Sequence, residues 1–138
     1  MTLLQPQTGA IRPPDPSVMS QPYWDGCARR ELLFQRCASC QGITHTPAVL
    51  CAQCNGRDLS WERSAGTGSI YSYTTVWRPQ TPAFTVPYCP IIVDVDEGWQ
   101  ILSNLIGIED DAVEVGLRVR VEFHPLLDGF LLPYFRPE

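Results

Sequence analysis

Four cysteines, Cys37, Cys40, Cys51 and Cys54, constrain this chain more than anything else in it. The stretch CASCQGITHTPAVLCAQC places two Cys-x-x-Cys pairs ten residues apart. Each pair makes a tight turn that aims two sulfurs at one point and turns backbone N–H groups toward them. Two such turns joined by a short hairpin close a tetrahedron of sulfur, the arrangement of a zinc ribbon. Zn2+ has no geometric preference of its own and accepts that shape. Iron is the alternative ion, since rubredoxins use related knuckles, and reduced thiols without metal are a third reading. Four sulfurs leave no position for water or substrate, so the expected metal is structural. His45 lies between the pairs and is chemically able to replace a cysteine, but the spacing does not require it. A surface or hydrogen-bonding histidine is the expectation there.

The opening residues, MTLLQPQTGAIRPPDP, lack a basic segment followed by an apolar core, so no signal peptide is expected. No apolar run is long enough to cross a bilayer. The expected location is cytoplasmic, where six cysteines indicate metal or free thiols rather than disulfides. Cys27 and Cys89 stand apart from the ribbon and read as small buried side chains. A nucleophilic Cys89 would need a base, and only His45 and His124 are available. His124 ends the polar face of its strand and is expected to be exposed.

Charge excludes one large class of partners. The chain has 138 residues, a net charge of −5 and no lysine. Residues 1–64 carry six arginines against five carboxylates, and residues 65–138 carry four against ten. Binding a phosphate backbone needs a basic footprint, which is missing. Neither nucleic acid nor membrane is therefore an expected partner.

The expected fold is mostly β, in three parts: an N-terminal helical arm (1–36), a rubredoxin-like zinc ribbon (37–64) and a five-stranded OB-fold barrel (65–138). Residues 1–21 contain four prolines and no period; they predict an extended arm, wrapped on a neighbour or mobile. Pro22 suits a helix start, and a short helix is expected over roughly 20–30. ELLFQR and DLSWERS read as strands flanking the ribbon. GSIYSYTTVW alternates, with Tyr71, Tyr73, Thr75 and Trp77 on one face and Ile70, Ser72, Thr74 and Val76 on the other. The loop RPQTPAFTVPYCP leads into a hairpin that turns at Asp96-Glu97-Gly98. An acidic connection at 109–116 has room for one helical turn. LRVRVEF places Leu117, Val119, Val121 and Phe123 inside, and Asp128-Gly129 turns the chain into a last strand. Five short strands in about 70 residues fit a small barrel of the OB type. No internal repeat is apparent.

Two readings compete for the row Tyr71, Tyr73, Trp77. Such a row stacks bases in single-strand-binding OB-folds. Alternatively it fills the barrel or the interface with the ribbon, and the acidic surroundings favour that. A compact anionic ligand needs less: Arg57 and Arg78 are the candidates to meet a phosphate. Trp24, Trp77, Phe84 and Tyr88 supply stiff apolar surface suited to another protein. There is no Gly-rich phosphate loop, no Ser-His-Asp arrangement and no carboxylate dyad. No catalytic residue is assigned.

The chain resembles the small zinc-ribbon/OB-fold proteins associated with thiolases and related acyl-CoA enzymes. The resemblance rests on YWDG at 23–26, the four-cysteine ribbon, GTGSIYSYTTVWRP at 66–79, PYCPIIVDVDEGWQILSNLIG at 87–107, VGLRVRVEF at 115–123 and LPYFRP at 132–137. It implies a non-catalytic accessory subunit in a hetero-oligomer with a thiolase-like subunit of the thiolase, acyltransferase or aldolase kind. A sterol-carrier-type thiolase or aldolase is included, and so is steroid side-chain breakdown. Members also occur with hot-dog enoyl-CoA hydratases, which is the alternative. Acyl-CoA is then a ligand of the complex, and the partner supplies the catalytic residues.

Overall fold

Period-two alternation dominates the chain after Leu32, and strands follow it in the computed structural model, which describes residues 1–138. One short helix, α1 (Gln21–Ala28), precedes them. Pro22 opens it, in the first turn, where its missing N–H costs nothing. Eight residues are too few for a helix to persist alone. It is held by the burial of Tyr23, Gly26 and Cys27. At Gly26 a Cβ would come within 2.8 Å of two Leu33 side-chain carbons, so the helix lies directly on the next strand.

The ribbon sheet has the order β2-β1-β3, from β1 (Leu33–Cys37), β2 (Ile43–Thr44) and β3 (Leu59–Arg63). The barrel is closed, with the order β4-β5-β6-β8-β7: β4 (Thr67–Tyr73), β5 (Cys89–Val95), β6 (Trp99–Leu105), β7 (Arg118–Pro125) and β8 (Leu131–Pro137). These are the five strands the alternation predicts. β5 and β6 pair along their whole length around the turn at 96–98. Ile91, Val93 and Val95 point inward from β5, and Trp99, Ile101 and Leu105 from β6. The acidic connection holds one 3-10 turn, Asp110–Ala112.

One hydrophobic cluster runs through all of this, from Leu4 through Tyr23 and Phe34 to the barrel interior. A chain of rings joins helix, ribbon and barrel. Phe34 meets Trp99 at 5.6 Å, Trp99 meets His45 at 4.8 Å, and His45 meets Tyr23 at 5.8 Å. A carboxylate completes the joint. Glu97 accepts from Ser64 Oγ (2.7 Å), the Ala65 N–H (2.8 Å) and Trp99 Nε1 (3.3 Å).

Three expectations need correction. The proline-rich arm lies on its own barrel: Leu4 is 1% exposed and exchanges backbone hydrogen bonds with Gly107 and Ile108. Its contacts are long-range, so no local period announces them. Tyr71, Tyr73 and Trp77 do not fill the barrel; they are 56%, 42% and 58% exposed. Alternation separates two faces without saying which is inside, and the β4–β5 register shifts between Ile70 and Ser72. His124 is half-buried, with Nε2 2.7 Å from Glu122 Oε1, and Arg136 pairs with the same carboxylate at 3.0 Å.

Candidate functional site

The two knuckles are built alike. Gln41 N–H bonds Cys37 O at 2.9 Å and Asn55 N–H bonds Cys51 O at 3.0 Å. Cys37 N–H bonds Gly42 O at 2.9 Å, and Cys51 N–H bonds Gly56 O at 2.8 Å. Gln41 and Asn55 both adopt left-handed φ, at 64° and 60°. A glycine follows each and donates its N–H to sulfur: Gly42 to Cys40 and Gly56 to Cys54, both at 3.4 Å. A Cβ on Gly42 would stand 2.7 Å from Gln53 Cγ and 3.1 Å from Cys40 Sγ. The hexapeptides CASCQG and CAQCNG are thus a single local device used twice, and the expectation of no internal repeat fails at this scale.

The four sulfurs lie within 4.8 Å of one another. Cys37 Sγ and Cys54 Sγ are 3.7 Å apart, and Cys40 Sγ and Cys51 Sγ 3.6 Å. A tetrahedron with metal–sulfur bonds of about 2.3 Å has edges of about 3.8 Å, so the donor set fits a zinc-sized ion. The backbone N–H groups of Cys54 and Gln53 pull Cys51 down to about 6. That of Cys40 pulls Cys37 below the usual thiol range. At Cys40 the Gly42 N–H acts downward, but the neighbouring sulfurs, Cys51 first, and burial push it up to about 12. Sulfurs this close cannot all ionise without a cation among them. These four residues would hold zinc as a structural staple, with no open position for chemistry.

His45 is expected at the surface or in a hydrogen bond; the structure instead packs it against two rings. It sits half-buried between Tyr23 and Trp99, and burial pushes it down to about 4, leaving it neutral at pH 7. Its ring neighbours come from α1 and β6, so nothing next to it in the sequence reveals them. Cys27 and Cys89 are fully buried, as expected of small core side chains. Burial pushes both thiols up, Cys27 to about 12.

The remaining candidates fall into separate places. Trp24 packs against Tyr23 at 4.9 Å and Phe130 at 5.3 Å. It lines a groove of about 400 Å³ with His45, Gln100 and Leu102. Trp77, Arg78, Phe84 and Tyr88 belong to the loop between β4 and β5. Val76 and Tyr88 form an antiparallel bridge across its base, and the Phe84 and Tyr88 rings stack at 5.7 Å. Trp77 and Arg78 are exposed. Arg57 is exposed on the second knuckle, apart from that loop in the sequence and in a different sheet region. Sequence reasoning missed Gln7: it is 7% exposed, and its side-chain amide bonds both backbone groups of Thr85.

Comparison with known proteins gives a consistent picture. Residues 24–60 match the family described as "ChsH2, rubredoxin-like zinc ribbon domain", and residues 61–124 match "ChsH2, C-terminal OB-fold domain". A chain of the solved structure "Ltp2-ChsH2(DUF35) aldolase" superposes with a TM-score of 0.84 at 34% identity, covering 91% of this chain and 98% of that one. The "Probable enoyl-CoA hydratase alpha subunit" of Thermomonospora curvata is 35% identical over 129 residues, 93% of this chain and 40% of that protein. The "3-oxo-4,17-pregnadiene-20-carboxyl-CoA hydratase alpha subunit" of Mycobacterium tuberculosis is 29% identical over 117 residues, 79% of this chain and 37% of that protein. The chain thus spans about two fifths of these two curated relatives.

Proposed function

Because the chain belongs to the ChsH2 family of zinc-ribbon and OB-fold domains, we propose that it is a non-catalytic accessory subunit of a thiolase-like aldolase complex acting on acyl-CoA. One observation carries this reading: the similarity to a chain of the Ltp2-ChsH2(DUF35) aldolase structure extends over nearly the whole of both chains. The site chemistry agrees with it. A tetrahedral set of four sulfurs offers no open coordination position. A neutral, ring-packed His45 and a His124 held against Glu122 leave little for acid–base catalysis. The partner would supply the groups that make and break bonds, and this chain would stabilise the partner and help shape the acyl-CoA site. Cys37, Cys40, Cys51 and Cys54 hold the structural zinc in this reading. Trp24, Arg57, Trp77, Arg78, Phe84 and Tyr88 are candidates for the partner or ligand surface. The M. tuberculosis relative favours a bulky, steroid-like acyl group.

A second reading has its own support. Two of the curated relatives are hydratase alpha subunits, so a hot-dog hydratase is the alternative partner. Co-expression separates the two. With a thiolase-like subunit, the expected result is a stable hetero-oligomer that cleaves a β-hydroxyacyl-CoA, while this chain alone turns nothing over. Full activity of the thiolase-like subunit by itself, or turnover by this chain by itself, refutes the first reading. Complex formation and hydration only with a hot-dog subunit establishes the second.

A further inference from the structure

The loop between β4 and β5 runs from Thr74 to Tyr88 with a single bridge and no other regular structure. Connections of that length are ordinarily mobile unless something ties them. Here the tie comes from the far end of the chain. Gln7 Nε2 donates to Thr85 O at 3.1 Å, and the Thr85 N–H donates to Gln7 Oε1 at 2.7 Å. One side-chain amide therefore satisfies both backbone groups of one residue, the exchange that a neighbouring strand makes in an antiparallel pair. Gln7 is itself anchored, since its N–H donates to Tyr134 Oη on β8 at 3.2 Å. Two residues on, Gly9 lies so close to the loop that a Cβ would fall 1.8 Å from Ala83 O. Yet Thr85 is exposed and Phe84 and Tyr88 are only half-buried, so the tie orders the loop without completing a core.

Charge marks the loop as well. Residues 65–93 contain no carboxylate and one arginine, Arg78, although the rest of that half carries ten carboxylates. A rigid apolar ledge with one cation, set in an acidic barrel, complements an apolar patch that carries a carboxylate. We infer that the N-terminal arm is a clamp: Gln7 holds the 74–88 loop in one conformation, and the ledge of Trp77, Phe84 and Tyr88 so formed docks the catalytic subunit. The identity of that partner rests on the thiolase-like reading above; the clamp itself does not. Pre-ordering a loop in its bound shape strengthens association because less freedom is lost on binding. Gln7 is in this sense a positioning residue that touches no ligand.

The test uses Gln7→Ala and Gly9→Ala, two independent ways of lifting the arm, with Phe84→Ala as the contact variant. In the free full-length chain, the Thr85 amide is expected to exchange with solvent at least about 10-fold faster in both arm variants, while Val93 and Ile101 in the barrel keep their protection. The Kd for the thiolase-like subunit is expected to rise about 3- to 30-fold in all three variants, with Thr85 exchange unchanged in Phe84→Ala. Unchanged Thr85 exchange in both arm variants overturns the clamp. Faster exchange with an unaltered Kd overturns the docking surface. A natural chain that binds no thiolase-like subunit overturns the functional reading and the docking surface together, and is told apart because exchange in the free chain reports the clamp alone.

Discussion

Glu97 joins the ribbon to the barrel through one carboxylate, and its replacement by alanine should loosen the whole molecule. The buried Ser64 hydroxyl gives the shortest of its three bonds, at 2.7 Å, and itself accepts from the Gly66 N–H at 2.9 Å. Hydrogen bonds to an ionised group contribute about 1.5–3 kcal/mol each at best. The Ala65 N–H is exposed and regains water when the carboxylate goes, and the bond from the buried Trp99 indole is long at 3.3 Å. Full credit for Ser64 and partial credit for the other two gives a loss of about 2–3 kcal/mol. At roughly 2.1 cal/mol/K per residue, unfolding 138 residues carries an entropy near 0.29 kcal/mol/K, so Tm should fall by about 7–10 °C. Differential scanning calorimetry of the zinc-loaded chain reads this directly. Glu97→Gln keeps one carbonyl acceptor and should lose about half as much. A Tm drop below about 2 °C in Glu97→Ala would refute the reasoning, because it would mean that water replaces all three bonds at no cost.

Three further outcomes follow from the same geometry. Gly42→Ala should lower zinc retention against a chelator and lower Tm, because its Cβ would meet Gln53 Cγ at 2.7 Å; Gly56→Ala, whose nearest contact is Cys54 Sγ at 3.2 Å, should do less. His45 has a folded pKa of about 4 against about 6.5 unfolded, so its part of the stability is complete above pH 6.5 and is lost as the pH falls toward 4. The loss is up to about 3 kcal/mol, and urea titrations of His45→Phe should lack that part of the slope between pH 6.5 and 4. Asp96 is held well below the usual carboxylate range by Arg118 and then Thr67, so its contribution is present above about pH 4 and fades as the pH falls further. Melting of Asp96→Asn from pH 4 downward should be less acid-sensitive than that of the natural chain.

What the sequence disclosed depended on how local the cause was. The knuckles were legible because each is closed within six residues by bonds to its own neighbours. The β5–β6 hairpin was legible because alternation and the turn at 96–98 act on adjacent strands. The environment of His45 was not, since Tyr23 and Trp99 approach from opposite directions in the chain. The outward facing of Tyr71, Tyr73 and Trp77 was hidden for a different reason: alternation is symmetric between inside and outside, and the pairing of β4 with β5 shifts register between Ile70 and Ser72. Gln7 gave no signal, because a glutamine among prolines looks the same whether it is solvated or bonded to Thr85, 78 positions away.

The closure of the barrel is uneven. β5–β6 and β7–β8 each align seven residue pairs, whereas β6 and β8 share one parallel pair, Leu105 with Phe135. The arm crosses that narrow seam from outside: Leu4 bonds Gly107 and Ile108 just beyond β6, and Gln7 bonds Tyr134 on β8. Residues 3–7 thus act as a sixth stave laid over the gap between two others. Solvent should reach the barrel interior first by lifting that stave, well before either long hairpin unzips.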